Sequence, residues 1–207
     1  MTFDALLARL QEVDLLLDAD PRFPSVTGLV VDGEVRGSRW SHPQAHEMFR
    51  MACRLRDHPD VLAVKLVSGK VTLVSRSLWP AVYAIGVARE SWQITRLSKE
   101  AKTLLEQADT GETIPCTGDA VRLLESRLVV HSESVHTARG HHQKQIRSWQ
   151  AWAKSVDFKE VTLSSADAKR QLERVVERLN RQSGASVTLP WQPAQKRRAA
   201  SQSSSVP

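Results

Sequence analysis

The sequence predicts a predominantly helical protein of the α+β class, on the basis of three observations. Several segments place apolar residues at the spacing of an amphipathic helix. Two pairs of shorter segments flank turn sequences in the manner of β-hairpins. The chain has 207 residues, of which 41% are hydrophobic and 25% charged, so it is long enough to bury a substantial core. The predicted helices cover more of the chain than the predicted strands, and we therefore expect a mixed fold in which helices dominate.

Residues 1–78 are predicted to form an N-terminal domain of helices and one β-hairpin. Apolar side chains at helical spacing predict an opening helix over residues 2–18. Residues 26–31 fit a strand or a helix equally well. A further helix is predicted from about residue 44 to residue 56, and it ends there because the residue before Pro59 is pushed out of the helical region.

The β-hairpin of this domain is centred on Ser68-Gly69, a pair that favours a two-residue turn between strands. Its strands are predicted at residues 61–67 and 70–75. A turn of this length would place Lys65 opposite Thr72. One face of the hairpin would then be apolar, and the other polar and cationic.

Three helices and a second β-hairpin follow one another in the middle of the chain. The helices are predicted at residues 79–89, 98–109 and 119–127, and the strands at residues 128–137 and 141–146. This is the element order of a winged helix, in which the third helix enters the major groove and the hairpin contacts an adjacent groove or phosphate strand. We therefore expect a winged-helix-like domain over residues 79–160.

The junction between the third helix and its hairpin resembles that of bacterial winged-helix regulators, and it reads Leu123-Leu124-Glu125-Ser126-Arg127-Leu128-Val129-Val130. In those proteins a buried leucine pair ends the recognition helix and a short apolar strand begins. The chain is also similar to a group of uncharacterised bacterial winged-helix-like proteins. The shared segments are Gly37-Ser38-Arg39-Trp40-Ser41-His42-Pro43, Lys65-Leu66-Val67-Ser68-Gly69-Lys70-Val71-Thr72 and Val135-His136-Thr137. The resemblance implies a winged-helix-like fold and brings no established activity with it.

The last part of the chain is predicted to contain one more helix and a basic tail. Residues 161–184 include an amphipathic helix with a continuous apolar stripe, which ends at Gly184. This stripe would either cap the domain or pair with a second copy of the chain. Residues 185–207 are rich in Pro, Ser, Ala and charge, a composition typical of disorder.

Positive charge is concentrated in the last third of the chain. Residues 139–207 carry 13 Lys and Arg against 5 Asp and Glu, whereas residues 1–138 carry 16 against 18. A positive field at one end favours an extended polyanion over a small acidic metabolite. Together with the predicted fold, it indicates a DNA-binding protein with a role in regulation or DNA maintenance. The expected partner is double-stranded DNA, with RNA as an open alternative.

The predicted contacts with nucleic acid come from the third helix, the wing and the tail. Guanidinium groups bind guanine edges or phosphates through two hydrogen bonds, and a polar wing suits the phosphate backbone. Asp119 and Glu125 on the helix would repel phosphate, so the wing and the tail would supply most of the attraction. The candidate residues are Arg122, Ser126 and Arg127 on the helix, Arg139, His141, His142, Lys144 and Arg147 on or beside the wing, and Lys196, Arg197 and Arg198 in the tail.

Two other functions stay open. The first is a protein–protein adaptor that forms a homodimer through the C-terminal helix. The second is a nucleic-acid-processing enzyme that uses the loop from Ser38 to His42, where a serine lies near a histidine. That loop lacks a third, orienting acid, and a structural turn with Trp40 buried in the core explains it better. The sequence therefore favours a protein without catalytic activity, and it indicates no cofactor and no metal ion.

Cysteine content and hydropathy indicate the compartment. Cys53 and Cys116 are too few for a disulfide framework, and we expect both to be reduced thiols in the cytoplasm. The first thirty residues lack the basic start and apolar run of a signal peptide. No stretch approaches 18 apolar residues. We therefore expect no association with a membrane.

Overall fold

The computed structural model describes residues 1–31, 38–136, 142–159 and 162–192, without the side chains of Arg39, His136 and His142. It confirms a mixed α+β fold, which is 54% helical. The helices are α1 (Phe3–Val13), α2 (Val26–Val31), α3 (Ala45–Arg56), α4 (Trp79–Val87), α5 (Ser91–Ile94), α6 (Lys99–Asp109), α7 (Asp119–Ser126), α8 (Trp149–Ser155) and α9 (Ser165–Ser183). The strands are β1 (Leu15–Leu17), β2 (Val61–Lys65), β3 (Val71–Ser75), β4 (Ile114–Pro115), β5 (His131–His136) and β6 (His142–Arg147). These strands form two antiparallel sheets, in the orders β1-β3-β2 and β4-β6-β5.

Strand β1 lies where the sequence predicts the end of the first helix, so the predicted helix over residues 2–18 is too long. Helix α1 ends at Val13, and Asp14 takes a left-handed backbone conformation, with a φ of 71°, that turns the chain. The three leucines of β1 are all buried and pair with β3. A run of leucines fits the period of a helix and a fully buried strand equally well, so the pattern alone does not separate them.

The β2–β3 hairpin forms, but its register differs by one residue from the predicted one. Lys65 lies opposite Val71 rather than Thr72, because the chain passes through a 3-10 turn at Val67–Gly69 instead of a two-residue loop. Thr72 is consequently buried, and its hydroxyl accepts a hydrogen bond from the N–H of Val67 at 3.0 Å. Four of the five residues of β3 are buried, and they alternate between the two faces of the sheet, so buried side chains replace the predicted polar face.

The main hydrophobic core joins the first sheet to helices from both ends of the chain. It is formed largely by α1, the first sheet, α3, α4, α8 and α9, so its residues come from both sides of the predicted boundary at residue 78. Gly86 on α4 makes room for Trp149, because a Cβ atom at position 86 would lie 2.3 Å from the indole Nε1. Trp149 is buried and donates a hydrogen bond to the carbonyl of Leu128 at 2.7 Å. The core is thereby connected to the end of α7.

A second, smaller core lies between helices α6 and α7 and the sheet β4-β6-β5. It includes the buried side chains of Leu124, Val129 and Ile146. Two of the predicted helices and the predicted hairpin meet here. The helix predicted at residues 79–89 is present as α4, but it packs in the main core. The sequence does not predict strand β4, because this strand is very short and includes a proline, a residue that is uncommon in strands.

The C-terminal helix forms as predicted, and the chain then folds back over the main core. Helix α9 packs against α4 and ends at Gly184, which takes a left-handed φ of 65°. Residues 185–192, which the composition predicts to be disordered, pack against the main core, with Leu189 buried. The N–H of Ser68 donates to the carbonyl of Thr188 at 2.7 Å, which fastens this segment to the β2–β3 loop. No described helix is both long and apolar enough to cross a membrane.

Candidate nucleic-acid interface

Helix α7, the predicted recognition helix, buries one face and exposes the other. Ala120, Val121 and Leu124 pack into the smaller core at the spacing of the helical repeat. The side chain of Arg122 is 71% exposed and pairs with Asp119 at 3.0 Å across one turn. An exposed ion pair of this kind contributes little to stability, so Arg122 can exchange Asp119 for another anion at little cost.

The side chains of Ser126 and Arg127, at the end of α7, form hydrogen bonds within the protein. The hydroxyl of Ser126 donates to the carbonyl of Leu123 at 2.8 Å. The guanidinium of Arg127 donates to the carbonyl of Trp92. The buried amide of Gln93 in turn donates to the carbonyl of Arg127 at 3.0 Å. These bonds attach the end of α7 to helix α5, which gives Arg127 a structural role in the folded chain.

A buried ion cluster centred on Glu125 joins helix α7 to both sheets. The side chain of Glu125 is 4% exposed, and its carboxylate accepts hydrogen bonds from Lys65 Nζ at 2.7 Å and from Lys144 Nζ at 2.6 Å. The hydroxyl of Ser132 donates to the same carboxylate. Burial by itself raises the pKa of Glu125, but the hydrogen bonds from the two lysines and the serine outweigh it and lower the pKa. Glu125 is therefore ionised, but it is buried and paired with two lysines. The expectation that it repels phosphate needs correction, because the lysines offset its negative charge.

On the β5–β6 hairpin, the predicted wing, Arg147 contacts other residues of the same hairpin. Its guanidinium pairs with Glu133 at 2.9 Å, and its Nε donates to Nδ1 of His131 at 3.4 Å. His131 is buried against Trp149 and Trp152, with ring centroids 5.8 Å apart in both cases. Burial and the positive charge of Arg147 lower the pKa of His131 to about 3. The imidazole is therefore neutral at physiological pH and adds no positive charge to the hairpin.

The buried His131 is expected to make the protein less stable as the pH falls. In the unfolded chain its pKa returns to about 6.5, so between that value and about 3 the unfolded state binds a proton that the folded state does not. Its contribution to stability is thus complete above pH 6.5. Below it, this residue should lower the free energy of unfolding by about 1.4 kcal/mol for each further pH unit.

Urea unfolding of the wild type and of His131→Phe at pH 7, 6 and 5 measures this effect. Phenylalanine places a ring of similar size against the two tryptophans but does not titrate. The wild type should lose stability over this range more steeply than the variant. Equal slopes for the two proteins would contradict the assignment of a neutral, buried imidazole.

Several predicted contacts lie outside the described residues. These are Arg139, His141, Lys196, Arg197 and Arg198, together with the side chain of His142. The backbone of His142 is described, and it pairs with that of His136 in the β5–β6 hairpin. The roles predicted for these residues therefore stay predictions.

The loop at residues 38–42 makes the local hydrogen bonds of a turn. Ser38 Oγ accepts a hydrogen bond from the N–H of Trp40 at 3.3 Å, and His42 Nδ1 accepts one from the N–H of Gln44 at 3.1 Å. The side chain of Trp40 is 61% exposed and its ring lies 6.0 Å from that of Phe49, so the expected burial of Trp40 is wrong. Within the part of the chain that the structure describes, no three His, Cys, Asp or Glu residues are grouped as a metal ion requires.

The apolar stripe of α9, which a dimeric adaptor would use, is occupied within the chain itself. Its buried side chains belong to the main core, and they are those of Ala168, Leu172, Val176 and Leu179. A partner helix would have to displace helix α4 to reach them. The arrangement corresponds to the alternative in which this helix caps the domain.

No local signal in the sequence predicts the cluster around Glu125. Lys65 lies 60 residues before Glu125, and only the packing of the first sheet against α7 brings the two together.

No known protein family, curated protein or solved structure matches this chain. The geometry of the site is therefore the basis for a functional proposal.

Proposed function

We propose that this protein binds double-stranded DNA through helix α7 and the β5–β6 hairpin, in the manner of a winged helix, and serves in regulation or DNA maintenance. One observation carries the proposal. Helix α7 and the hairpin pack on one small core, and they lead into the strongly basic end of the chain. A recognition helix and a wing must keep a fixed relative position to contact neighbouring grooves, and a shared core provides it.

The contacts inside the protein divide the candidate residues into two groups. Arg127, Lys144 and Arg147 hold the helix and the hairpin in place through bonds to other parts of the chain. Arg122 is exposed on α7 and would reach a phosphate or a guanine edge. The basic tail at residues 196–198 would add attraction to phosphate. Because this attraction is largely electrostatic, we expect DNA binding to weaken strongly as the salt concentration rises.

Fluorescence anisotropy of a random-sequence DNA duplex at several salt concentrations tests the proposal. The full chain is compared with a truncation after residue 192 and with Arg122→Gln. The truncation removes the basic tail but keeps Trp191, whose indole donates to Glu173 at 2.7 Å. Arg9→Gln is the matched control, because Arg9 also forms an exposed ion pair within one turn of a helix, in this case α1.

The full chain should bind the duplex, with a steep dependence of affinity on salt. Each lost phosphate contact lowers the slope of log affinity against log salt by about 0.9, so we expect a decrease of about 1 for Arg122→Gln and up to about 3 for the truncation. Arg9→Gln should leave the slope unchanged. Absence of duplex binding at low salt would overturn the proposal, and complete loss of binding on truncation would assign it to the tail alone. Preference for an RNA strand over the duplex would favour the RNA alternative.

A further inference from the structure

Two lysines from distant parts of the chain converge on one carboxylate. Lys65 ends strand β2 of the first sheet, and Lys144 lies on strand β6 of the second. Lys65 bonds to Oε2 of Glu125 at 2.7 Å and Lys144 bonds to Oε1 at 2.6 Å. The single carboxylate therefore holds the two ammonium groups close to each other. Two positive charges share one negative charge, which leaves the cluster with an excess of positive charge.

The cluster is closed to solvent at its carboxylate and open at its lysines. The side chain of Glu125 is 4% exposed, whereas those of Lys65 and Lys144 are 26% and 30% exposed. An ammonium group carries three N–H donors, so each lysine has donors beyond the one given to Glu125. Because the buried carboxylate already holds both ammonium groups, a ligand that binds them restricts less side-chain motion than it would with two mobile lysines.

We propose that Lys65 and Lys144 form a binding site for a phosphate group, which a phosphodiester of bound nucleic acid occupies. This inference rests on the proposed function and extends the interface to the first sheet, where the sequence predicts no contact. A phosphate presents several anionic oxygens around one centre, so it can accept hydrogen bonds from both ammonium groups at once. The excess positive charge of the cluster attracts such an anion and repels a metal cation.

A phosphate at this site would contact both sheets. Lys65 belongs to the sheet β1-β3-β2 and Lys144 to the sheet β4-β6-β5. The part of the chain that precedes the predicted winged-helix-like domain would then contribute directly to the affinity for DNA. Lys144 keeps its predicted contact with phosphate, in addition to its bond with Glu125.

Titration of the full-length wild type with inorganic phosphate, followed through the NMR signals of lysine ammonium groups, tests the site without a substitution. At constant ionic strength, the signals of Lys65 and Lys144 should shift together and reach saturation. Lys70 is the internal control, because it belongs to the β2–β3 hairpin, as Lys65 does, and pairs with Asp20 at 2.7 Å. It is also more exposed than Lys65 and Lys144. Its signal should stay in place. Absence of a shift at Lys65 and Lys144, or equal shifts at all three lysines, would overturn the proposed site.

Duplex binding by lysine variants tests whether nucleic acid uses the site. Lys65→Gln is expected to lower the log–log salt slope by about 1, whereas Lys65→Arg keeps the charge and should keep the slope. Lys70→Gln should bind like the wild type. If the wild type binds the duplex and Lys65→Gln retains the full slope, this inference fails while the proposed function stands. If inorganic phosphate binds and the duplex does not, the nucleic-acid assignment of the site fails together with the proposed function.

Discussion

Replacement of Gly86 by alanine is expected to lower the free energy of unfolding by about 3 kcal/mol, the upper end of the usual range for an overpacked core. The added Cβ would lie 2.3 Å from Nε1 and 2.5 Å from Cδ1 of Trp149. The indole has little room to move, because it is buried, packs against Trp152 and donates to the carbonyl of Leu128. In a chain of this size the loss corresponds to a decrease in Tm of roughly 6–12 °C, which circular dichroism can measure.

The double variant Gly86→Ala/Trp149→Phe isolates the steric conflict. The smaller phenylalanine ring lacks the indole nitrogen that the new methyl group would meet. The loss of stability in the double variant should therefore be smaller than the sum of the two single losses. Alanine is otherwise the better helix former by about 1 kcal/mol. An unchanged or increased Tm in Gly86→Ala would thus show that the indole yields without cost.

Replacement of Glu125 by alanine is the second large effect, and we expect it to cost about 3 kcal/mol. Removal of one partner from a buried ion pair leaves charges without compensation, and here two lysines lose their shared acceptor. The partial exposure of the lysines keeps the loss at the lower end of the range for such pairs. Glu133→Ala is the matched control, because the carboxylate of Glu133 is 39% exposed against 4% for Glu125, and its pair with Arg147 should be worth less than about 1 kcal/mol. Urea unfolding at pH 7 measures both, and equal losses would contradict the special role of Glu125.

The pH dependence of stability gives an independent measure of the same carboxylate. The folded state lowers the pKa of Glu125, despite the opposing effect of burial. Its contribution is therefore complete above its pKa in the unfolded chain, about 4.3, and is lost as the pH falls through the lower value of the folded state. Glu125→Gln should lose less stability than the wild type when the pH is lowered through this range. A loss as large as that of the wild type would show that Glu125 keeps its ordinary pKa.

Release of the two lysines should act on DNA binding in the direction opposite to its effect on stability. Loss of Glu125 raises the net charge of the cluster from +1 to +2, although it also removes the group that holds the two lysines in place. We expect the added charge to dominate, so the folded variant should bind a duplex more tightly at low salt. Weaker binding at low salt would indicate that Glu125 serves only to position the lysines. Anisotropy at a temperature where circular dichroism shows the variant to be folded distinguishes the two results.

Helices are the part of this fold that local sequence predicts well, because the groups that start and end them lie within one turn. Ser98 caps α6 through the N–H of Ala101, and Gly184 ends α9. Strands depend instead on partners far along the chain. The leucines of β1 are compatible with a helix until β3 is present beside them. Thr72 looks like a surface residue until its cross-strand neighbours, the buried Leu17 and Val64, are known.

For the candidate interface, the sequence predicts which charged residues lie on α7 and the hairpin, but not which of them already have partners. Arg127 donates to a carbonyl 35 residues away, and Lys144 pairs with a carboxylate 19 residues away. Lys65 comes from a different sheet altogether. Charge counting treats all these groups as available to a ligand. Tertiary packing decides which charged groups are available to a ligand. The contacts involved join residues far apart in the sequence, so no local sequence pattern predicts them.

The two cores also differ in how widely their buried residues are separated in the sequence, and this difference affects the order of folding. The buried residues of the smaller core lie between Leu97 and Ile146, whereas those of the main core extend from Leu6 to Leu189. Contacts between distant residues form more slowly, and a chain made from its N-terminus cannot complete the main core until Leu189 has been released. We therefore expect the smaller core to form during synthesis. The first sheet would meanwhile stay uncovered by α9, which makes the nascent chain most prone to aggregate at its N-terminal strands.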